Sequence, residues 1–540
     1  MDAIIKKQFK LIIEDEVNIK FEGLDLETRK KCNRSQKYKD HSAQFTAKGR
    51  YGFWDGTVSF FSVGGRSYLN LLNEILPILE KQGYETNLEQ MFKLNLIEDK
   101  RKAWPVFEFE PITEDYIVKN CPNPYWPEGH PMEGTPILLR DYQAEAINIF
   151  LQNQAAVEEL ATSFGKTITC AAMAHCCEKY GRTLVIVPNK DLVLQTEEDY
   201  INIGLDVGVY FGDRKDYGKT HTICTWQSLE RMHKNDGKDD KITLDEFIDG
   251  VVCIIIDEAH TISGDSLKKL LLGPLSNIPI RWGLTGTVPI KDIERKNLVI
   301  TVGQKVHEVT ARYLMDRGFL SECHIDIIQL KEQMSFSDWP SEQGFLGSDV
   351  NRIKWIAEFA KVVSETGNTL ILVNNIETGK MLEELIPDLD FVYGKIKSKD
   401  RKAKYKSVNT ATNMIFAANY QVASTGLNIP RIFNLINVDI GKSYTRVIQS
   451  IGRGVRKAKG KDFINVFDIS SNMKSSKKHL KERKNYYEYV QYPYTETKVD
   501  YISELGDNNF KTANKILKRI NQEYIERENK KNNATEEKDE

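Results

Sequence analysis

The sequence has no paired-cysteine motif, no long apolar run and no excess of charge of one sign. Its eight cysteines form no CxxC pair and most lie in apolar stretches, which argues against a disulfide framework and a zinc site. No stretch approaches the roughly eighteen apolar residues of a membrane span, and residues 1–16 carry charges where a signal peptide would be apolar. These absences predict a soluble protein in a reducing compartment, the cytoplasm.

Charge and size narrow the class of protein further. The 75 Lys and Arg residues nearly balance the 77 Asp and Glu residues, for a net charge of −2. Any affinity for nucleic acid must therefore come from a local basic groove. With 540 residues, of which 41% are hydrophobic, the chain is too long for one core and too apolar for global disorder.

Two series of short apolar strands alternate with helical segments, the pattern of parallel α/β domains. Val251–Ile256, for example, is a continuous apolar run, which is typical of a strand buried on both faces. The predicted fold is α/β, with a small α+β accessory domain that is a candidate for nucleic-acid binding, two parallel-sheet domains, and a helical, basic extension with a disordered tail after about residue 526. Their predicted boundaries are 1–125, 134–312, 313–470 and 471–540, with a proline-rich linker before the first sheet domain.

The segment ATSFGKT, residues 161–167, precedes a helical run and is the first candidate site. Backbone N–H groups and a helix N-terminus at this position suit phosphates. Lys166 would bind the β- and γ-phosphates and Thr167 a magnesium ion. Only Gly165 is a glycine, so the phosphate-loop pattern is incomplete and a chance GKT is the alternative.

The strand that contains Cys253–Ile256 ends in the sequence DEAH, residues 257–260. Two carboxylates then stand at the carboxyl edge of a sheet, where open α/β sheets bind ligands. Asp257 suits magnesium and Glu258 suits an attacking water. The alternative for an acidic pair is a solvated turn or a helix N-terminus.

Near the end of the second series stands QSIGRGVR, residues 449–456. Arg453 and Arg456 are three residues apart and would share one face if the segment is helical. Guanidinium groups suit developing phosphoryl charge, and these would reach the nucleotide from the other domain. The alternatives are a solvated basic helix or a plain nucleic-acid contact.

Taken together, these motifs resemble those of the DEAH-type helicases of superfamily 2, and more closely the UvsW-type helicases of tailed bacteriophages. The resemblance runs from about residue 139 to 468 and implies two RecA-like lobes that bind ATP and Mg²⁺. It implies catalytic roles for Lys166, Asp257, Glu258, Gln449, Arg453 and Arg456. It implies nucleotide-binding roles for Arg140, Gln143 (which would read adenine), Thr162, Ser163, Phe164, Gly165, Lys166, Thr167 and Gly426, and coupling of hydrolysis to movement by His260, Thr285 and Thr287.

Contacts to a nucleic-acid strand are predicted from side chains able to bind phosphates without reading sequence. For each of them a cap or turn role is the alternative. The predicted residues are Asn189, Thr225, Gln227, Asn374, Lys395 and Thr425. The basic run from Lys474 to Lys484, which includes Arg483, is either a solvated helix face or a patch that binds duplex phosphates.

The predicted function is an ATP-dependent DNA helicase or translocase. The resemblance implies a substrate of branched or forked DNA or of RNA–DNA hybrids. Branch migration, fork regression or R-loop unwinding would then serve phage replication, recombination and repair in the host cytoplasm. Two alternatives are an ATP-gated nucleic-acid clamp or annealing factor that does not unwind, and the motor subunit of a restriction complex.

Overall fold

The computed structural model describes residues 6–40, 51–52, 54–130, 132–235, 242–394, 396, 404, 408, 411–424, 429, 431–458 and 460–539. The chain forms two compact units. The first comprises Met1–Leu160 and Gly165–Glu308, and the second comprises Ala161–Phe164 and Val309–Glu540.

The first unit begins with a small α+β domain. Its four-stranded sheet has the order Arg66–Tyr68, Asn18–Glu22, Lys10–Ile13, Ile97–Asp99, and Lys37–Lys39 pairs separately with Thr57–Ser59. Its helices are Leu26–Ser35, Leu72–Lys81, Leu88–Lys93 and Tyr116–Asn120, with a 3-10 turn at Leu69–Leu71.

The core of this small domain continues into the neighbouring sheet domain. Val299 and Ile300, from the helix Asp292–Thr301, are buried in the same cluster as the domain's own aliphatic and aromatic side chains. Lys296 on that helix pairs with Glu74, and the Asn70 side chain donates to the Val299 carbonyl over 2.9 Å. The two parts of the first unit are thus packed into one body.

The larger sheet of the first unit has eight strands. Apolar β-branched runs form its centre because both faces are covered by helices. Its order is Arg214–Lys215, Val207–Phe211, His221–Thr225, Arg182–Val187, Val251–Asp257, Ile280–Thr285, Ala155–Leu160, Gln304–Val309. Its helices are Asp141–Leu151, Lys166–Cys177, Lys190–Asn202, Trp226–Lys234, Leu244–Ile248, Asp265–Leu272 and Asp292–Thr301, with a 3-10 segment at Ala259–Ser263.

The second unit contains a seven-stranded sheet in which all neighbours are parallel. Its order is Asp390–Val392, Ile415–Asn419, Thr369–Val373, Asn434–Val438, Phe463–Ser471, Glu322–Leu330, Tyr494–Val499. Its helices are Ala311–Asp316, Trp339–Ser348, Val350–Val363, Ile376–Leu385, Tyr420–Ser424, Tyr444–Gly454, Lys474–Tyr489, Tyr501–Gly506 and Lys511–Asp539, with a 3-10 turn at Ser364–Thr366. The predicted α/β class with two parallel-sheet domains is confirmed.

One member of the predicted basic run belongs to the core. Arg483 lies on the helix Lys474–Tyr489, is 1% exposed, and donates to both carboxylate oxygens of Asp468 over 2.8 and 2.9 Å. It therefore cannot contribute to a surface patch, whereas Lys474, Lys477, Lys478 and Lys481 on the same helix are exposed.

Residues 106–110 belong to no strand, and Phe107 and Phe109 pack their rings edge-on against Tyr180. The helix Lys511–Asp539 continues through the segment after residue 526, and the disorder of this tail stays a prediction. No helix among the described residues is long and apolar enough to cross a membrane.

Replacement of Asp468 by asparagine is expected to destabilise the second unit by about 3–5 kcal/mol, because it leaves the buried Arg483 charge without its counter-ion. Hydrogen exchange of the strand Phe463–Ser471 measures this loss as faster opening. The matched control is Glu496→Gln, which breaks a half-exposed pair with Lys484 on the same helix and should cost at most about 1 kcal/mol. Equal effects of the two variants would contradict the core role of Arg483.

Candidate nucleotide-binding site

Strand register brings the predicted catalytic segments of the first unit to one edge of its sheet. The strand Ile280–Thr285 pairs in parallel with a neighbour on each side, so Asp257 lies opposite Leu284 and Thr285 lies opposite Glu159. All three strands end at this level. The chain therefore leaves the sheet at the same edge after Leu160, after Asp257 and after Thr285.

The turn before the helix Lys166–Cys177 depends on Gly165. Its φ of +96° lies in the left-handed region, which only glycine adopts at no cost. A Cβ atom at this position would stand 2.3 Å from Nε2 of Gln143. Gln143 is 4% exposed and is itself held, because its Oε1 accepts from the Arg140 backbone N–H over 2.8 Å. The predicted adenine-reading residue thus packs directly on the phosphate loop.

Lys166 and Glu258 face each other across the site. Nζ of Lys166 lies 3.9 Å from Oε1 of Glu258 and donates to the Leu160 carbonyl over 3.4 Å. Glu258 has φ +53° and ψ +50°, a left-handed conformation that is uncommon for a residue other than glycine. Its backbone N–H donates to Oδ1 of Asp257 over 2.9 Å. The Asp257 carboxylate is thereby fixed at the end of the strand.

A chain of polar contacts runs on from Glu258. Nδ1 of His260 lies 3.3 Å from Oε2 of Glu258 and 3.0 Å from Oγ1 of Thr285. The Thr285 hydroxyl in turn donates to the Thr287 carbonyl and accepts from the Thr287 N–H, each over 3.2 Å. The structure therefore brings together the three residues predicted to couple hydrolysis to movement and joins them to Glu258.

The residues present fit a magnesium ion. Burial, together with the negative charge of Glu258, raises the pKa of Asp257 to about 6, although the positive charge of Lys166 acts in the opposite direction. A cation bound beside Asp257 would stabilise its charged form. Thr167, the second residue of the loop's helix, supplies a hydroxyl oxygen. One carboxylate and one hydroxyl form a hard oxygen set of the kind that Mg²⁺ uses with substrate phosphates.

Loop residues Ala161–Phe164 cluster with the second unit. The Ser163 hydroxyl donates to the Gly452 carbonyl over 3.1 Å and accepts from Nε of Arg456 over 3.1 Å. A Cβ atom on Gly452 would lie 2.4 Å from Cβ of Thr162, so only glycine fits there. Phe164 is fully buried.

Arg456 does not share a helical face with Arg453. The helix Tyr444–Gly454 contains Gln449 and Arg453 but ends two residues before Arg456, which instead forms a bridge with Leu320. The Val455 N–H closes the helix on the Ile451 carbonyl. The three-residue spacing therefore does not place the two guanidinium groups on one surface.

The residues predicted to contact a nucleic-acid strand hold the local fold. Asn189 caps its helix by accepting from the Leu192 N–H over 3.0 Å, and the Thr225 and Ser228 hydroxyls are 2.9 Å apart. Gln227 is exposed and donates to the Pro188 carbonyl over 3.3 Å. The Asn374 side chain donates to the Asp439 carbonyl and accepts from Arg446. Lys395, Thr425 and Gly426 lie outside the described residues.

Sequence reasoning missed Glu159. It lies in the strand Ala155–Leu160, is 7% exposed, and accepts from the Val288 N–H over 3.0 Å and from Nζ of Lys305 over 2.9 Å. It therefore anchors the segment that follows Thr287. The signal available was the pair Glu158 and Glu159, which a single residue separates from ATSFGKT, where a buried strand must precede the loop.

Comparisons with known proteins agree with this geometry. Residues 136–290 match the family "Type III restriction enzyme, res subunit", and residues 351–458 match "Helicase conserved C-terminal domain". The chain is 24% identical over 503 residues to the ATP-dependent DNA helicase uvsW of Enterobacteria phage T4, covering 88% of this chain and 93% of that protein.

Two further proteins are similar to part of this chain. It is 29% identical over 223 residues to the DNA 3′-5′ translocase XPB2 of Sulfurisphaera tokodaii, covering 40% of this chain and 45% of the relative. A fragment of a putative HsdR subunit of a type I restriction enzyme from Vibrio vulnificus has the same fold, with a TM-score of 0.50, 18% identity and 72% of each chain covered.

Replacement of Gly165 by alanine is expected to weaken ATP binding about tenfold or more, because the new Cβ strains a left-handed residue and displaces Gln143. Fluorescent-nucleotide titration measures the affinity. The control is Gly218→Ala, at φ +84° with no atom within 4 Å of the new Cβ, which carries the same backbone strain without the contact. Loss of affinity in both variants would mean that the Gly165–Gln143 packing is not what shapes the site.

Proposed function

We propose that this chain, an ATP-dependent helicase or translocase with two tandem helicase domains, remodels branched DNA or RNA–DNA hybrids in phage replication, recombination and repair. The observation that carries the motor activity is the chain of contacts from Lys166 through Glu258 and His260 to Thr285. These contacts connect the lysine proposed to bind phosphate with the Thr285–Thr287 segment. A motor needs a connection of this kind between hydrolysis and movement.

The length of one sequence alignment supports the proposed substrate, branched DNA or RNA–DNA hybrids. The 503 residues aligned with the phage T4 helicase exceed the span 134–470 of the two helicase domains, so the likeness extends to flanking segments. The same comparison supports action in the cytoplasm of a host cell. On the same basis we propose that the N-terminal domain binds nucleic acid and that the domains divide at the predicted boundaries.

Hydrolysis would depend on residues of the first unit. Lys166 would neutralise the β- and γ-phosphates, and Gln143 would hold the adenine beside the loop. Asp257 and Thr167 would hold Mg²⁺, which supplies charge neutralisation at the phosphate oxygens. Glu258 would orient and polarise the attacking water, its carboxylate fixed by the left-handed turn and by His260.

His260 and Thr285 would transmit the change that phosphate release causes at the nucleotide site to the rest of the domain. The imidazole contacts both the Glu258 carboxylate and the Thr285 hydroxyl, so a shift of Glu258 on phosphate release changes both contacts. Arg453 and Arg456 are proposed to stabilise the charge that develops on the γ-phosphate, and Gln449 to assist them.

A second candidate is the motor of a restriction complex. It is favoured by the match of residues 136–290 to a restriction-enzyme family. A clamp or annealing factor that does not unwind is a third. These activities leave different products: cleaved DNA, displaced strands, or neither.

A panel of labelled substrates tests the proposal. We expect ATP-dependent remodelling of a fork, a four-way junction and an R-loop, with less activity on linear duplex. Cleaved products would indicate a restriction motor. ATP-dependent retention of DNA with no displaced strand would indicate a clamp.

Replacement of Glu258 by glutamine should lower the ATPase rate about a hundredfold or more while ATP still binds, because the amide keeps the shape but cannot polarise water. Lys166→Ala is the contrasting variant and should lose ATP binding together with turnover. Turnover and nucleotide titration are measured on both proteins. If Glu258→Gln loses binding and turnover by the same factor, the role of Glu258 is structural.

Arg453→Ala and Arg456→Lys should each remove most of the DNA-stimulated ATPase rate, by a factor in the range of about 10³ or more that arginine fingers supply. Lysine fails because an ammonium group cannot reproduce the planar fork of guanidinium. Lys457→Ala, at an exposed neighbour paired with Asp462, is the control and should leave the rate unchanged. Full DNA-stimulated turnover in both arginine variants would contradict this role.

A further inference from the structure

The helix Tyr444–Gly454 ends in a carbonyl group that the helix itself cannot satisfy. The last four carbonyl groups of an α-helix have no N–H partner within the helix. The Gly454 carbonyl is one of them, and Gly454 is buried, so this carbonyl needs a donor from elsewhere in the protein. A Cβ atom on Gly454 would stand 2.3 Å from Cδ1 of Ile464, so the end of the helix packs closely on the neighbouring strand.

The side chain of Lys461 supplies the donor. Lys461 is 1% exposed, and its Nζ donates to the Gly454 carbonyl and, over 2.9 Å, to the Arg456 carbonyl. One amine thus holds both the last residue of the helix and the arginine two residues further on. Burial, and after it the positive charge of Arg456, lower the pKa of Lys461 to about 7. A neutral amine still has two N–H donors, one for each of these carbonyls.

The sheet of the second unit fixes the position of Lys461. The Lys461 carbonyl accepts from the Ser321 hydroxyl over 3.2 Å, and the Asp462 carbonyl accepts from the Glu322 N–H over 2.9 Å. These two donors stand at the beginning of the strand Glu322–Leu330, which pairs with a parallel strand on each side. The amine is therefore attached to a rigid element of the fold.

The same contacts place Arg456. This residue lies beyond the end of the helix, so tertiary contacts set its position. Its carbonyl accepts from Lys461 over 2.9 Å and from the Ser321 hydroxyl over 3.4 Å, so the bond from Lys461 is the shorter of the two. Its Nε donates to the hydroxyl of Ser163, a residue of the predicted phosphate loop, over 3.1 Å. The backbone of Arg456 is thus held from behind while its guanidinium faces the loop.

We propose that Lys461 is a positioning residue for ATP hydrolysis, which holds Arg456 where its guanidinium can stabilise the γ-phosphate. The inference rests on the role proposed above for Arg456. A displacement of about 1 Å at a catalytic group can lower a rate about a hundredfold. Without Lys461, the longer bond from Ser321 would have to hold the Arg456 carbonyl, so the arginine would keep its chemistry and lose its fixed position.

Replacement of Lys461 by methionine tests this role, because methionine has a similar length and no donor. We expect the DNA-stimulated kcat to fall about tenfold to a hundredfold, while ATP affinity, measured by fluorescent-nucleotide titration, stays unchanged. Ser321→Ala should lower kcat by a smaller factor and covers the case in which Lys461→Met fails to fold. Thr366→Val is the matched control and should leave kcat unchanged. It removes a hydroxyl that donates over 2.8 Å to the Val363 carbonyl, at the end of another helix of the same unit.

A double-mutant cycle separates positioning from a purely structural role. If Lys461 acts through Arg456, the double variant should hydrolyse ATP at the rate of Arg456→Ala alone, in single-turnover measurements with excess enzyme. A structural role would instead lower the rate by the same factor with and without the arginine, and that result overturns the inference. Wild-type kcat in the folded Lys461→Met or Ser321→Ala protein, with Arg456→Ala slow, also overturns it and leaves the proposed function standing. If Arg456→Ala itself keeps the full rate, the role of Arg456 fails and that of Lys461 fails with it.

Discussion

The pairing of the strand Ile280–Thr285 with a parallel neighbour on each side is the constraint on which the candidate ATP site depends. This strand is buried along its whole length, so packing holds its register. A slip of one residue would turn each of its side chains to the opposite face. Thr285 would then no longer meet His260. The polar contacts of the site are thus positioned by hydrophobic burial, and their mutual attraction only completes the arrangement.

The backbone at Glu258 shows what this positioning costs. A left-handed conformation in a residue other than glycine costs on the order of 1–3 kcal/mol and persists only where the surroundings impose it. Here the buried strand imposes it on one side and the 3-10 segment Ala259–Ser263 on the other. The turn directs the carboxylate to within reach of both Lys166 and His260. The strained backbone at Glu258 therefore sets the position of its carboxylate, which an extended backbone would direct elsewhere.

The sequence predicts an element of this fold well where the pattern of residues shows directly which of them are buried. Val251–Ile256 is apolar throughout and was predicted within one residue of the strand Val251–Asp257, whereas Ala155–Leu160 was missed because two of its buried residues are glutamates. The site motifs were predicted because phosphate chemistry fixes their residue types. The position of Arg456 outside the helix was not predicted. The end of that helix depends on the bridge between Arg456 and Leu320, which is far away in the sequence.

The shared core of the N-terminal domain limits how this motor can work. Val299 and Ile300 sit among the buried side chains of that domain, and Lys296 pairs with Glu74 beside them. Separating the two parts would expose these aliphatic side chains, at about 25 cal/mol for each Å² of apolar surface. Their helix Asp292–Thr301 follows the Thr285–Thr287 segment within a few residues and contacts the 3-10 segment after Glu258. Nucleic acid held by the N-terminal domain would therefore move with the domain that carries Lys166, and not independently of it.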